Sequence, residues 1–240
     1  LIVISSDFIN GSIIGKFDYG SMATHLYRLA TKHIPSFSGK RTKIDECNYM
    51  FKLNINNSRF LSRLLELPVT INEPSHMSGM CNSEKGILEF STTLNNTSLG
   101  NDIYRKVSIN GHSDENAFII DARAQRPTIK NRKTFRYNDM SNDIVMGLKC
   151  TMVKDTIKSS IHWNNYMNAH KMQGTLRMDA LLGLNDNGTP TLDAKIYPDS
   201  IVRNDSVWYL SAGTIKGDID KLQISNLHLY NSTQHWCQCW

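Results

Sequence analysis

The chain has 240 residues, of which 40% are hydrophobic and 20% are charged, and its formal net charge is +5. This composition excludes a disordered chain and is typical of a folded protein with a thin core. Lysine and arginine are spread along the whole sequence. The most basic stretch, Lys130–Lys133 with Arg136, lies among polar residues as solvated loops do, so we expect no nucleic-acid partner.

The sequence carries no recognisable targeting signal. It has no run of 18 apolar residues, which is the length that predicts a membrane-spanning helix. It begins Leu1-Ile-Val-Ile-Ser-Ser6, without an initiator methionine or the layout of a signal peptide. We therefore expect an internal fragment of a longer protein, with any anchor or export signal in a segment outside it.

The cysteines do not predict a disulfide framework. They are five in number and irregularly spaced: Cys47, Cys81, Cys150, Cys237 and Cys239. An odd number leaves at least one thiol free. Cys237 and Cys239 have one residue between them and no second pair, which is a weak zinc signal. We expect neither a metal nor a cofactor.

The first 34 residues predict a β-hairpin and a helix. Two apolar-rich runs, 1–9 and 12–19, flank Asn10-Gly11, the dipeptide that best tolerates the positive φ angles of a type I′ turn. Apolar residues then recur at helical spacing over about residues 21–34. Ser21 is a suitable N-cap for this helix, and Pro35 ends the pattern.

A strand and a second short helix follow. Alternation of apolar and polar residues over 49–55 predicts a strand with one buried face. The buried residues would be Tyr49, Phe51, Leu53 and Ile55. The helix is expected at about 58–66, capped by Asn57 or Ser58 and stopped by Pro68. Its apolar face would consist of Phe60, Leu61, Leu64 and Leu65.

From Val69 onward the sequence predicts a β meander, because strand-like segments alternate with Asn- and Asp-rich turns. The clearest strand is Ile144–Met152. Further strands are predicted at 157–163, 175–182, 191–197, 207–210 and 221–229. Asn187-Gly188 should close a hairpin, and a change of apolar phase predicts a bulge near Ser225-Asn226.

These elements predict a mainly β fold, a long antiparallel meander curled into an elongated hydrophobic groove with one or two short amphipathic helices. We expect residues 1–240 to form a single elongated β-groove segment, with helical insertions at about 21–34 and 58–66. The apolar face of such a sheet must be covered. A second sheet would cover it in a sandwich, and something other than protein would cover it in a trough.

Strand parity alone identifies the expected lining of this groove. The lining residues are Ile144, Met146, Leu148, Met152, Leu176, Met178, Leu192 and Ile196. On the first of these strands Gly147, Lys149 and Thr151 lie on the opposite face. No nucleophile elbow, phosphate-binding glycine loop, metal-binding motif or dinucleotide fingerprint is present, so we do not expect an enzyme.

Two long stretches resemble a known family. The first runs from Pro190-Thr-Leu-Asp-Ala-Lys-Ile-Tyr-Pro through Asn204-Asp-Ser-Val-Trp208 to Ile219-Asp-Lys-Leu-Gln-Ile-Ser-Asn-Leu-His-Leu229. The second is Ser6-Asp-Phe-Ile-Asn-Gly-Ser-Ile-Ile-Gly-Lys-Phe-Asp-Tyr19 with the helix ending in Ile34-Pro35-Ser36. Together with Phe60–Pro74, they resemble the TamB-like proteins of the Bacteroidetes, the translocation and assembly module family. The tail Trp236–Trp240 lies outside this resemblance.

The resemblance implies a periplasmic β-taco with an inner-membrane anchor upstream and an Omp85-type, TamA-like outer-membrane partner. It further implies phospholipid transport between the membranes and help in outer-membrane protein assembly. The one-sided apolar strands agree with the transport role. The alternative is a structural or adhesive β-sandwich or solenoid at the cell surface, whose apolar residues fill its own dry core.

Overall fold

The structure is a computed structural model, and it describes residues 1–18, 20, 22–37, 46–64, 66–113, 115–127, 143–166, 170–218, 220–232 and 234–238. These residues form antiparallel strands with two short α-helices, so the predicted mainly β meander is confirmed. They divide into two compact units, within 1–32 and 40–127 and within 33–39 and 128–240. The single 1–240 segment stays a prediction, and the basic stretch 130–136 lies outside the described residues.

The first unit is a meander in which each strand pairs antiparallel with its neighbours. Its elements are β1 (Ile2–Ser5), β2 (Ile9–Lys16), α1 (Met22–Thr31), β3 (Asn48–Ile55), α2 (Arg59–Leu64), β4 (Val69–Ile71), β5 (Ser75–Asn82), β6 (Ile87–Leu99), β7 (Asp102–Ser113) and β8 (Phe118–Arg126). The order is β1, β2, β3, β5, β6, β7 and β8. The short β4 pairs with the far end of β6, beyond β5.

The first hairpin is present, but the predicted turn at Asn10-Gly11 is wrong. Asn10 pairs with Ser5 and Gly11 with Ile4, so both lie inside β2. The turn is made by residues 6–8, where the Ser6 hydroxyl accepts hydrogen bonds from the amides of residues 8 and 9 at 3.3 and 3.0 Å. Position 11 requires glycine for a different reason, because a Cβ there would stand 2.2 Å from the carbonyl oxygen of Lys52 on β3.

Helix α1 is shorter than predicted and ends at Thr31 instead of residue 34. Pro35 supplies the reason, because proline has no N–H to donate to the carbonyl four residues earlier and its ring clashes there. The Thr31 hydroxyl bonds back to the carbonyl of Tyr27 at 2.9 Å. The proposed cap Ser21 lies outside the described residues.

Helix α2 is capped as predicted, but its described apolar side chains, Phe60 and Leu64, are not buried. The Asn57 carboxamide oxygen accepts the amide of Arg59 at 2.8 Å, which makes Asn57 the cap. Phe60 and Leu64 are 56% and 65% exposed, whereas Ser62 is buried. The predicted apolar face is therefore wrong at Phe60 and Leu64, because only one turn-and-a-half of helix forms and Ser62 bonds to Ser58 at 3.0 Å on its inward side. The side chains of Leu61 and Leu65 lie outside the described set.

The core of the first unit lies between α1 and the sheet. The predicted parity of β3 is confirmed, since Tyr49 is 2% exposed while Met50 is 59% exposed. Its buried cluster consists of Leu29 of α1 with Cys47, Tyr49, Cys81 and Leu88. One face of the sheet therefore packs against the helix.

The second unit is also a meander. It contains a 3₁₀ turn (Pro35–Phe37), β9 (Ile144–Val153), β10 (Thr156–Asn164), β11 (Met172–Leu184), β12 (Pro190–Ile196), β13 (Asp199–Arg203), β14 (Ser206–Leu210), β15 (Gly213–Asp218), β16 (Leu222–Ser225), β17 (Leu227–Tyr230) and β18 (His235–Gln238). All predicted strands of this part are present. Neighbouring strands pair antiparallel. Three of the strand positions are long strands interrupted by a break, and each consists of two consecutive halves: β12 with β13, β14 with β15, and β16 with β17.

The turns of this unit follow from local chemistry. Lys154 and Asp155 both have positive φ, as do Asn204 and Asp205, so two two-residue loops of type I′ geometry close β9–β10 and β13–β14. The predicted hairpin at Asn187-Gly188 joins β11 to β12, with φ of 76° at Gly188. Asn185 orders that loop by accepting the amides of residues 187 and 189.

Three aligned irregularities keep one face of the long strands apolar. The predicted bulge is confirmed at Asn226, which has a φ of 59° between β16 and β17. Matching breaks occur at 211–212 on the adjacent strand, β14–β15, and at 197–198 on the next strand, β12–β13. The Ser211 hydroxyl donates to the carbonyl of Asn226 at 2.8 Å and accepts the amide of His228 at 2.8 Å, which ties two of the breaks together. Each break shifts the side-chain parity by one residue.

Candidate functional site

The most extensive candidate site is one face of the second unit's sheet, which we name the apolar face. Its residues share one side because each stands directly opposite the next in the strand register. They are Met146, Leu148, Met152, Ile157, Ile161, Trp163, Leu176, Met178, Leu182, Leu192, Ile196 and Ile215. Side chains of directly opposed residues are close enough to contact one another.

The register brings the eight predicted lining residues onto this single face. Leu148 stands opposite Ile161, and Ile161 stands opposite Leu176. Met178 stands opposite Ile196 on the next strand. Met152 and Leu192 stand opposite Ile157 and Leu182, and Ile144 shares the parity of Met146 on β9. Residues predicted from sequence spacing alone therefore share one face on three strands, β9, β11 and β12, with β10 between the first two.

Most large side chains of the apolar face remain partly exposed. Met146, Leu148, Leu176 and Met178 are neither buried nor fully exposed, and Ile161 is 37% exposed. The buried residues of the face are mainly small, such as Ala180 and Ala194 at 3% and 0% exposure, although Ile196 is buried too at 5%. All strands of the unit belong to one sheet, so its described part holds no second sheet to cover this face.

A flat aromatic ring forms part of the apolar face. Trp163 pairs with Gly174, and a Cβ on Gly174 would lie 2.4 Å from the indole Cζ2. The indole therefore occupies the space above the glycine instead of standing away from the sheet. Cys150 lies on the same side as this ring and is buried, which raises the pKa of its thiol.

The opposite face of the same strands is mostly polar. Around Lys149 it forms an open cavity of about 300 Å³, bordered also by Lys158, Arg177, Asp179 and Tyr197. The Tyr197 hydroxyl donates to the Asp179 carboxylate at 2.8 Å, and this hydrogen bond raises the pKa of Tyr197 because it favours the protonated phenol. The two faces of the sheet thus differ strongly in polarity.

The first unit has its own apolar sheet face, and aromatic rings lie flat on it as well. Phe51 stands opposite Gly79, and Phe90 stands opposite Gly111. A Cβ would come within 2.6 Å of the Phe51 ring at Gly79 and within 2.2 Å of the Phe90 ring at Gly111. Here Leu29 of α1 packs against the neighbouring part of the face.

Sequence reasoning missed a cavity on the first unit. It has a volume of about 520 Å³, and its border includes Phe51, Phe90, Met80, Glu89 and His112. The His112 imidazole contacts the Glu89 carboxylate at 3.0 Å.

The described residues contain no group of three or more His, Cys, Asp or Glu side chains that could hold a metal ion. Neither helix in the described part of the chain is long and apolar enough to span a membrane. Comparisons with known proteins add no relative. No protein-family model matches the chain, and neither a curated protein nor a solved structure gives a significant match.

Proposed function

We propose that this chain is a segment of an envelope-spanning, TamB-like lipid-transport and assembly factor, in which acyl chains of phospholipid lie on the apolar face. The observation that carries the proposal is the partial exposure of that face, with Met146, Leu148, Leu176 and Met178 directed to one side of a single sheet. Contiguous apolar surface of this kind marks an interaction site.

The chemistry of the apolar face suits an acyl chain. Burying one methylene group contributes about 0.8 kcal/mol, so a chain of about 16 carbons gains substantial binding energy without any polar anchor. Seven strand positions at a spacing of about 4.8 Å extend about 29 Å across the sheet, which is long enough for such a chain. The methionines on the face have flexible, polarizable side chains that adapt to irregular apolar partners.

The opposite face supports the same proposal from the other side. Lys149, Lys158 and Arg177 keep it hydrated and unsuited to hydrocarbon. A sheet with one hydrated and one apolar face can hold a lipid tail on the second while the first contacts water.

The family resemblance adds a second, weaker argument. The stretch Pro190–Ser211 forms β12, β13 and β14, and 219–229 contains β16 and β17 with the bulge at Asn226. These are the strands whose breaks keep the apolar residues on one side. The proposed location is the periplasm, with an inner-membrane anchor and an Omp85-type partner engaged by other parts of the longer chain.

The competing function is a structural or adhesive β module. It requires the apolar residues to fill a closed, dry core, and the exposure of Ile161 argues against that arrangement. In such a module the surface, and not the apolar face, would contact the partner.

Site-specific photocrosslinking in cells tests the proposal. A photoreactive residue is placed in the full-length protein at position 146 or 148, and position 149 on the opposite face is the matched control. We expect phospholipid crosslinked at Met146 and Leu148 and none at Lys149. Crosslinks confined to the chain itself at all three positions would refute lipid carriage and support the closed module.

A further inference from the structure

Two thiols meet in the core of the first unit. The sulfur atoms of Cys47 and Cys81 lie 3.4 Å apart, and the two residues are 1% and 0% exposed. They are 34 positions apart in sequence, and α2 lies between them. Sequence spacing gave no sign of this pair, because the contact is created by the pairing of β3 with β5.

The strand register holds both cysteines in place. Tyr49 stands directly opposite Cys81, and Cys47 precedes Tyr49 by two residues, so the two thiols are diagonal neighbours on one face. The Cys47 amide donates to the Ser83 hydroxyl at 2.9 Å, and its carbonyl accepts the Ser83 amide at 2.9 Å. These two bonds fix the backbone of Cys47 against the end of β5.

We propose that Cys47 and Cys81 form a disulfide that joins β3 to β5 beneath α1 when the chain folds under oxidising conditions. The sulfurs must approach from 3.4 Å to about 2.05 Å, a movement of about 1.4 Å.

The chemistry requires an external disulfide as oxidant, such as oxidised glutathione or the disulfide of a thiol oxidase. The thiolate of one cysteine attacks a sulfur of that disulfide, forming a mixed disulfide and releasing one thiolate of the oxidant. The second cysteine then attacks the mixed disulfide and releases the other. The pair loses two electrons and two protons, and the oxidant becomes two thiols.

Burial determines when this exchange occurs. The buried surroundings raise the pKa of the Cys81 thiol to about 12, so little thiolate exists in the folded protein near neutral pH. Exchange therefore takes place while the chain folds, before Leu29 and α1 close over the pair. Once formed, the buried disulfide is out of reach of a soluble reductant.

The remaining cysteines do not compete within the described structure. Cys150 lies on β9 of the second unit, and the side chains of Cys237 and Cys239 are outside the described set. The inference does not depend on the proposed lipid function, because a glutathione buffer supplies the oxidant whatever the natural compartment is.

Oxidative refolding tests the disulfide directly. The full chain is unfolded in urea with reductant, refolded with oxidised and reduced glutathione, alkylated in denaturant and digested for peptide mapping by mass spectrometry. We expect a linked peptide pair containing Cys47 and Cys81. For a closed loop of this length, the unfolding equilibrium constant of the oxidised protein should be about 10²- to 10³-fold lower than that of the reduced protein.

The variants Cys47→Ser and Cys81→Ser should each abolish the linked peptide and this redox-dependent change, and Cys150→Ser should leave both intact. Peptide mapping of the wild-type protein keeps the test decisive even if a serine variant does not fold. The proposal is overturned if refolded wild-type protein with native circular dichroism has Cys47 and Cys81 alkylated as free thiols. Linkage of either residue to another cysteine would overturn it equally.

Discussion

Replacing Gly174 by alanine should expel the Trp163 ring from the apolar face. The new Cβ would lie 2.4 Å from Cζ2 of the indole and 2.9 Å from two further ring carbons. Because carbon atoms pack at about 3.5–4.0 Å, the ring must retreat by more than 1 Å. Gly174 is not among the glycines with positive φ, so the substitution tests packing and not backbone strain.

The expected change in the free energy of unfolding is the difference between two opposed effects. Overpacking of this kind costs about 1–3 kcal/mol. Replacing a strand glycine by alanine recovers about 0.4–1 kcal/mol, because the unfolded chain has fewer conformations to lose. We therefore expect Gly174→Ala to lower the free energy of unfolding by about 1–2 kcal/mol.

Gly183→Ala on the same strand is the matched control. Its new Cβ would meet only the Thr191 hydroxyl at 3.0 Å, which can rotate away, so its stability should be unchanged or slightly higher. The measurement is urea unfolding followed by circular dichroism, repeated in a Trp163→Leu background where the cost at Gly174 should shrink. Equal stability of Gly174→Ala and Gly183→Ala would refute the contact between the indole and the glycine.

Three further predictions test other features. Leu148→Asp should lower the amount of phospholipid that copurifies with the full-length protein by at least tenfold, because a carboxylate in hydrocarbon costs about 2.5–3.5 kcal/mol. Thr151→Asp on the opposite face should leave that amount unchanged. Mass spectrometry of the extracted lipid measures both. Asn204→Ala should cost about 1 kcal/mol in urea unfolding, since its φ of 48° disfavours alanine, and Asn204→Gly should restore stability. The reduced protein should lose stability as the pH rises from about 9 to about 12, because in that range the Cys81 thiol of the unfolded chain loses its proton while the buried thiol of the folded protein keeps it. The measurement is the urea midpoint of unfolding across this pH range, which should change less with pH in Cys81→Ala.

The predictions that held depend on local signals. The alternation in residues 49–55 and 144–152 needs only the period of a strand, and the hairpin at Asn187-Gly188 needs only a residue that tolerates positive φ. The phase slip near Asn226 was visible because Ile224 and Leu227 have opposite parity. Such features can be recognised without knowing which strands are neighbours.

The predictions that failed depend on partners distant in sequence. Asn10-Gly11 looks like a turn, but Gly11 is required where β2 approaches the Lys52 carbonyl. The Cys47–Cys81 contact exists only once β3 and β5 are in register. Phe60 was expected inside a helix face, yet it lies 5.4 Å from the Phe8 ring near the first turn, and it is still mostly exposed.

The aromatic rings give the apolar faces of both units a common physical character. Phe51, Phe90 and Trp163 each lie over a glycine on the adjacent strand, so these bulky residues project less from their sheets than upright side chains would. A low, continuous surface can contact a long hydrocarbon chain along its length, whereas upright rings would divide the surface into separate pockets. A closed core has no such requirement, because interdigitating side chains fill it best. In the first unit Phe51 and Phe90 pack against the buried cluster beneath α1, so it is the Trp163 face of the second unit that would hold the proposed lipid.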